Sequence, residues 1–190
     1  MGMRGLSAAL MAIALLAGCK KKPPALQLVQ GVFTSKHVGM TLTFPASSVW
    51  LHGDQDSTTE NSRKTAFSLG TDLLLVLARM TPPPGGPGSS DFAAQTDAAW
   101  IARAKIGAEI TAREHAGSMI EGCEVTRLGG RRFARCTIHV TSEPSAETHY
   151  LIGYIWVASR NDMGAALVSS RRDAEEAYLE VEPLLATLRD

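Results

Sequence analysis

The pair Gly129-Gly130 constrains the fold of this chain more than any other feature of its sequence. It lies within the stretch Gly122–Val140, GCEVTRLGGRRFARCTIHV, between two arms with the composition of β-strands. Two adjacent glycines supply the positive φ angles that the central positions of a two-residue hairpin turn require. Because the length of the turn fixes which residues face each other, the pattern predicts both an antiparallel hairpin and its register.

This register brings two cysteines together. If Leu128 pairs with Arg131 at the turn, Cys123 faces Cys136 at a non-hydrogen-bonded position, where the two Cα atoms lie about 4.5 Å apart. That distance is at the short end of the range for a disulfide. The same register matches charge with charge and apolar with apolar, pairing Glu124 with Arg135 and Val125 with Ala134. We therefore predict a Cys123–Cys136 disulfide. Two buried free thiols are the alternative, and a redox-active pair lacks the Cys-X-X-Cys spacing at a helix start.

The first eighteen residues have the pattern of an export signal. Arg4 precedes an apolar segment of twelve residues, Leu6–Ala17, which is too short to cross a bilayer as a helix, since this needs about 20 apolar residues. The segment ends in Leu16-Ala17-Gly18-Cys19, which resembles the lipobox of bacterial lipoproteins. The resemblance implies cleavage between Gly18 and Cys19 and attachment of acyl chains, palmitate among them, to Cys19. The alternatives are a secreted protein cleaved by the ordinary signal peptidase and an uncleaved anchor.

The lipobox also predicts how the chain is divided and where it is located. We expect residues 1–18 to be a signal peptide, 19–32 a lipidated cysteine with a flexible tether, and 33–190 a single domain. Three acyl chains would hold Cys19 at the membrane, since each buried methylene contributes about 0.8 kcal/mol. No Asp follows Cys19, so the inner-membrane retention signal of enteric-type lipoproteins is missing, which favours the outer membrane of the cell envelope. With Cys19 taken by lipid, the other two cysteines form an even pair in an oxidising compartment.

The rest of the chain predicts strands, an amphipathic helix, further antiparallel strands and a closing helix. Leu73–Ala78 is apolar on both faces, as in a central strand that is covered on both sides. Pro183, inside the closing helix, predicts a kink or a restart there. Hairpin connections and two helices together indicate an α+β fold, a mainly antiparallel sheet packed by both helices. The first helix, over 91–112, is expected to bury one stripe, Phe92, Ala99, Ile106 and Ile110, widened by Trp100 and Ala104.

Several short motifs in this order resemble the PsbP-like α/β/α sandwiches. They are Gly39–Pro45 (GMTLTFP), Trp50, the hairpin turn Leu128–Arg131 and the helix end Leu184–Leu188. The group includes photosystem accessory proteins, a Ran-binding import cofactor and many small bacterial lipoproteins. The resemblance implies a PsbP-like sandwich over 33–190 and a role in binding partners or supporting assemblies. It carries over no site residues, because the group is not known as a catalytic family.

Composition and motifs argue against several classes of function. Nineteen Lys and Arg residues balance nineteen Asp and Glu residues, so no overall field attracts nucleic acid. The sequence has no serine-nucleophile, phosphate-loop or zinc-site motif, and we predict no cofactor, no metal site and no catalytic residue. His139 and His149 could approach each other across a second hairpin, which leaves a weak metal-site alternative.

Two functions are compatible with these observations. The favoured one is a non-catalytic lipoprotein, held to the membrane through Cys19, that binds an unidentified envelope protein or ligand. The alternative is an envelope hydrolase or redox enzyme whose site is assembled from dispersed residues. A deep polar pocket would support the enzyme if it held two or more of His115, His139, His149 and Glu124.

Overall fold

The computed structural model of the chain describes residues 26–53, 57–59, 62–81, 93–115, 117–141, 149–159 and 162–190. Gly18 and Cys19, and with them the predicted cleavage and lipidation site, lie outside these residues. The helices are α1 Asp97–Glu114 and α2 Ala174–Ala186. The strands are β1 Leu26–Leu28, β2 Gly31–Ser35, β3 Met40–Phe44, β4 Leu51–Gly53, β5 Ser57–Thr59, β6 Ser62–Leu69, β7 Leu73–Met80, β8 Ser118–Leu128, β9 Arg131–Val140, β10 His149–Val157 and β11 Met163–Ser170.

Most strands form one antiparallel sheet in the order β1-β4-β6-β7-β11-β10-β9-β8. The short strand β5 pairs with β6, and β2 and β3 form a separate hairpin. Strands β6 and β7 pair as one antiparallel hairpin, β8 to β11 pair as consecutive antiparallel hairpins, and β7 joins the two groups by pairing antiparallel with β11. The described strands of the sheet therefore contain no parallel pair, which would require a long crossover connection. The predicted α+β class, a mainly antiparallel sheet packed by two helices, is confirmed.

The sheet separates two hydrophobic cores. On one face, α2 and the β2–β3 hairpin cover the larger core, whose central aromatic residues include Phe44, Phe67, Phe133 and Trp156. On the other face, α1 packs on β8, β9 and β10. The second core includes Trp100, Ala104, Cys136 and Ile138, and it extends to Met163 at the start of β11. The sandwich therefore has one fully covered face and one face that α1 covers over only part of the sheet.

Strand β7 occupies the central position that its composition predicts. It lies between β6 and β11, with every residue paired on both sides. Leu73, Leu75 and Leu77 enter the larger core, while Leu74 and Val76 point to the opposite face and are half-buried. The strand is covered on the side of the larger core, whereas no described helix covers the side that carries Leu74 and Val76, so the predicted cover on both sides is present on one side only.

The predicted buried face of the first helix is wrong. Helix α1 buries Trp100, Ala104 and Ala108, whereas Ile106 and Ile110 are 54% and 55% exposed. Residues four positions apart share a helix face, and alanines on this face allow the helix axis to approach the sheet closely. Ile106 and Ile110 each lie two positions from a residue of the buried face, which is about half a helical turn, so they point away from the sheet.

The start of α1 differs from the sequence expectation, and α2 shows no restart at Pro183. Helix α1 begins at Asp97 and is capped by Thr96, whose side chain accepts a hydrogen bond from the backbone of Ala99, while the stripe residue Phe92 lies outside the described residues. Helix α2 runs through Pro183 without a restart. The carbonyl that Pro183 leaves without a donor belongs to Leu179, whose side chain is 77% exposed, so water can replace the missing bond.

The folded part of the chain extends into the segment predicted as tether. Strand β1, within residues 19–32, pairs with β4 through Leu26↔Gly53 and Leu28↔Leu51, and the backbone of Val29 donates to Trp50. This strand has no buried side chain, so its backbone pairing rather than a hydrophobic period holds it to the sheet. Among the described residues, no helix is long and apolar enough to span a membrane.

Candidate functional site

The β8–β9 hairpin has the predicted register. Leu128 pairs with Arg131, Glu124 with Arg135 and Cys123 with Cys136, and Gly129 and Gly130 have φ angles of 56° and 81°. The tip of the hairpin rests against the end of α2, where a Cβ atom on Gly129 would lie 1.8 Å from the carbonyl oxygen of Ala186. The glycine is therefore required both for the turn and for this contact.

A disulfide crosslinks the two strands of this hairpin. The Sγ atoms of Cys123 and Cys136 lie 2.02 Å apart, and the two residues are separated by 13 positions in the sequence. Cys136 is buried in the core beneath α1, while Cys123 packs at its border. The crosslink thus ties β8 to an inner strand that is itself held by β10.

Strand β8 forms one edge of the sheet and pairs only with β9 among the described strands. It is eleven residues long, and a bulge between Ile120 and Gly122 interrupts its regular pairing. The pair that closes a two-residue turn is hydrogen-bonded and the following pairs alternate, so Cys123, Val125 and Arg127 direct their N–H and C=O groups away from β9. These backbone groups form an open edge along the regular part of the strand.

A shallow cleft lies beside this edge, between β8, β9 and the start of α2. Its volume is about 390 Å³, and it is lined by Glu121, Gly122, Cys123, Glu124, Arg135, Thr137, Ala174, Glu175 and Tyr178. The bulge places Glu121 in this lining, because the extra residue is not opposed by a residue of β9. We refer to this set of residues as the acidic cleft.

Arg135 connects the floor of the acidic cleft. Its Nη1 donates to Oε1 of Glu182 at 2.5 Å, its Nη2 donates to Glu124, and its guanidinium lies 3.8 Å from the ring centre of Tyr178. The hydroxyl of Tyr178 lies 2.5 Å from Oγ1 of Thr137. The side chain of Arg135 is 15% exposed, so this cation is largely withdrawn from water and is held by two carboxylates.

These contacts determine the charge states of Arg135 and Tyr154 at the floor of the acidic cleft. Burial disfavours the charged guanidinium, but the hydrogen bond with Glu124 and the charge of Glu182 outweigh it and raise the pKa of Arg135. Burial and the charge of Glu182 raise the pKa of Tyr154 well above the usual range of a phenol. Tyr154 therefore stays neutral, and its hydroxyl donates a hydrogen bond to Glu182 Oε1 at 3.3 Å. The charges of the floor, Arg135, Glu124 and Glu182, are already paired with each other, whereas Glu121 and Glu175 are exposed residues of the lining.

The structure does not bring the candidate histidines together. Tyr150 pairs with His139 and Val140 pairs with His149, so His139 and His149 point to opposite faces of the sheet. The approach that the sequence left open for these two histidines therefore does not occur. His139 stacks on Tyr150, with ring centres 4.9 Å apart, and its Nδ1 lies 3.8 Å from Glu121. His115 caps the end of α1.

Of the residues named for a dispersed catalytic site, the acidic cleft contains only Glu124. Within the described ranges, no group of three or more His, Cys, Asp or Glu side chains is arranged to hold a metal ion. The hairpin register predicted the pair Glu124–Arg135. The sequence did not indicate that Glu182, Tyr178 and Glu175 of α2 would also lie at the cleft, because nothing in the hairpin shows where α2 packs.

The comparisons with known proteins concern the fold. No protein-family model matches the chain, and no curated protein matches it. The solution structure of cyanobacterial PsbP (CyanoP) from Synechocystis sp. PCC 6803 is similar, with a TM-score of 0.56 and 12% sequence identity over 92% of this chain and 98% of that chain. A crystal structure from Bacteroides thetaiotaomicron VPI-5482 gives a TM-score of 0.52 and 12% identity over 85% of this chain, which spans only 48% of the length of that protein. The predicted PsbP-like α+β fold is confirmed.

Proposed function

We propose that this chain is a lipid-anchored module of the bacterial cell envelope that binds an extended, basic peptide segment of a partner protein along β8. The observation that carries the proposal is the open edge of β8 beside a cleft lined by carboxylates. The module acts by binding alone, and no step of this function needs a catalytic residue.

The backbone supports binding by strand addition. An extended peptide can pair with the outward N–H and C=O groups of Cys123, Val125 and Arg127, and such pairing supplies affinity without a deep pocket. The bulge before Gly122 limits regular pairing to Gly122–Leu128. The disulfide and the hairpin turn hold this strand in place before a ligand arrives, which lowers the ordering cost of binding.

The charges of the acidic cleft select the ligand. Glu121, Glu124 and Glu175 line it, against the single lining guanidinium of Arg135, which is already paired with Glu124 and Glu182. A peptide with Lys or Arg at alternate positions would place its cations on this side of the added strand. Complementary charge of this kind contributes to specificity and to the rate of association.

The anchor rests on the lipobox resemblance of Leu16-Ala17-Gly18-Cys19. We place the protein at the outer membrane, because no Asp follows Cys19. Substituting Cys19→Ser should abolish acylation and leave uncleaved precursor in the membrane fraction. Unchanged processing and unchanged labelling by a radioactive fatty acid would contradict the anchor.

Peptide binding is tested with the purified mature protein and fluorescent ten-residue peptides. A peptide of alternating Lys and Val should bind, and one of alternating Glu and Val should not. Val125→Pro removes one outward N–H while leaving the pairing with β9 intact, and we expect it to weaken binding at least about tenfold. Glu175→Gln should weaken binding by less, and Glu180→Gln, on the same helix but outside the cleft, is the matched control. Equal binding by all three variants, or equal binding of both peptides, would contradict the proposal.

A further inference from the structure

The half of the sheet that begins at β1 has an apolar surface on one side, and no described helix covers this surface. Helix α1 packs on β8, β9 and β10 and reaches the first core residues of β11 and the last of β7, Met163 and Met80. Beyond that point the same face of the sheet continues across β11, β7, β6, β4 and β1. Its apolar members, which we call the bare apolar face, are Leu26, Leu28, Leu51, Ala66, Leu74, Val76 and Leu167.

The strand register makes this face continuous. One row crosses the sheet from Leu28 through Leu51, Ser68 and Leu74 to Ser169. A second row joins Ala66, Val76 and Leu167 beside it.

The members of the face at its two ends are the most accessible. Leu28 is 57% exposed, Leu26 49% and Leu167 39%, while Leu51, Leu74 and Val76 are half-buried. A contiguous exposed apolar surface of this kind marks a site of contact with a protein or a lipid surface.

The charges on the strands that form the bare apolar face are all positive. The five strands that form it contain no Asp or Glu, and Lys64 stands on the same side of β6 as Ala66. Asp72, in the turn before β7, is paired with Arg172 at 3.6 Å. This distribution suits a surface with negative charge, such as anionic lipid headgroups.

The position of the bare apolar face matches the reach of the proposed anchor. Seven residue steps separate Cys19 from Leu26, the first residue of β1, and they span at most about 25 Å when fully extended. Lys20, Lys21 and Lys22 lie within this connection and are attracted to anionic lipid. The acidic cleft lies at the other edge of the sheet, about 34 Å from β1 at seven strand spacings.

We infer that the bare apolar face rests on the lipid surface of the membrane, in contact with the interfacial region beside the acylated cysteine. This inference rests on the proposed anchor at Cys19. The contact places β1 against the membrane. Because α1 lies on the same face of the sheet over β8, β9 and β10, it keeps β8, with the acidic cleft, about one helix diameter farther from the membrane than β1. Apolar burial and the attraction of Lys64 and the tether lysines for anionic headgroups act together in holding this orientation.

The inference is tested with the mature lipoprotein in vesicles of phosphatidylcholine and phosphatidylglycerol that carry bromine on their acyl chains. Leu28→Trp places a fluorophore on the bare apolar face. Leu179→Trp is the matched control, because Leu179 is 77% exposed on α2, on the opposite side of the sheet. The three native tryptophans provide a background that is measured in the parent protein and subtracted. We expect brominated lipid to reduce the added emission of Leu28→Trp at least about twofold and to leave that of Leu179→Trp unchanged.

A second experiment tests whether the apolar side chains of the face, and not only the acyl chains, hold β1 against the lipid. The double variant Leu28→Glu with Leu167→Glu should still float with the vesicles, because the acyl chains remain, but protease should gain access to β1. Equal quenching of Leu28→Trp and Leu179→Trp in floating protein would overturn the inference and leave the anchor intact. A blue-shifted but unquenched Leu28→Trp signal would also overturn it, since a second copy or another segment of the chain would then cover the face. A parent protein that fails to float contradicts the anchor, and the inference with it.

Discussion

The two carboxylates bound to Arg135 should contribute very unequally to stability. Both pair with the same guanidinium, but the side chain of Glu182 is 23% exposed and that of Glu124 is 60% exposed. Glu182 also accepts a hydrogen bond from the hydroxyl of Tyr154. An exposed ion pair stabilises by about 0.2–1 kcal/mol, whereas a hydrogen bond to a charged partner away from water contributes about 1.5–3 kcal/mol.

We therefore expect Glu182→Gln to lower the free energy of unfolding by about 2 kcal/mol and Glu124→Gln by about 0.5 kcal/mol. The value for Glu182 stays below the 3–5 kcal/mol known for removal of one partner from a fully buried pair, because both side chains retain some contact with water. The amide in Glu182→Gln keeps the shape of the carboxylate, so the loss reports charge and hydrogen bonding rather than packing.

Urea unfolding of the purified mature protein, followed by the emission of its buried tryptophans, measures these differences by linear extrapolation. Glu180→Gln, on the exposed side of α2, is the control and should leave the unfolding midpoint unchanged. Equal losses for Glu124→Gln and Glu182→Gln would refute the reasoning, because burial would then not determine the contribution.

Three further predictions concern the fold. Replacing Cys123 and Cys136 by Ala should lower the free energy of unfolding by about 3 kcal/mol, the loop-entropy value for a crosslink over 13 positions, and non-reducing mass spectrometry of the parent protein should show the crosslinked peptides. Burial opposes ionisation of Asp162, but hydrogen bonds from Arg79 and Thr81 outweigh this effect and lower the pKa of Asp162. The ionised carboxylate therefore stabilises the fold above pH ~4, and this contribution is lost as the pH falls through the folded-state pKa. The stability difference between the parent and Asp162→Asn should therefore shrink in acid, and a constant difference from pH 7 to pH 3 would count against this explanation. Trp100→Ala should cost about 3–5 kcal/mol, while Ile106→Ala on the outer face of α1 should cost less than about 0.5 kcal/mol; the reverse order would show that the helix packs by its branched residues.

The sequence predicted those parts of the fold that local chemistry determines. The register of β8 and β9 follows from Gly129-Gly130, because a two-residue turn leaves only one alignment of the arms. The central position of β7 follows from Leu73–Ala78, since a strand that is apolar at every position favours a place between two other strands rather than at an edge. In both cases the decisive residues are adjacent or nearly adjacent in the chain.

The parts that were missed depend on how distant elements meet. An alanine-rich helix carries a weak preference for either face, and the docking of Trp100 beneath the guanidinium of Arg132, 4.7 Å from its ring centre, decides which face of α1 is buried. Strand β1 has no hydrophobic period and is recognisable only by its partner β4. The floor of the acidic cleft needs Glu182 and Tyr178, which α2 delivers only after it has packed on the sheet.

The contact between β7 and β11 has a consequence for the order in which the chain folds. Strands β8 to β11 form a run of consecutive hairpins, so each pairing closes a short loop, whereas β7 and β11 join residues far apart in the sequence, such as Met80 and Met163. Short loops close first, because their closure costs less entropy. Until β7 arrives, the sequence MGAALVSS of β11 is an unprotected edge without a single charge, able to pair with another chain. Refolding yield should therefore fall as protein concentration rises, and Ala165→Lys, which places a charge on that edge, should reduce the loss.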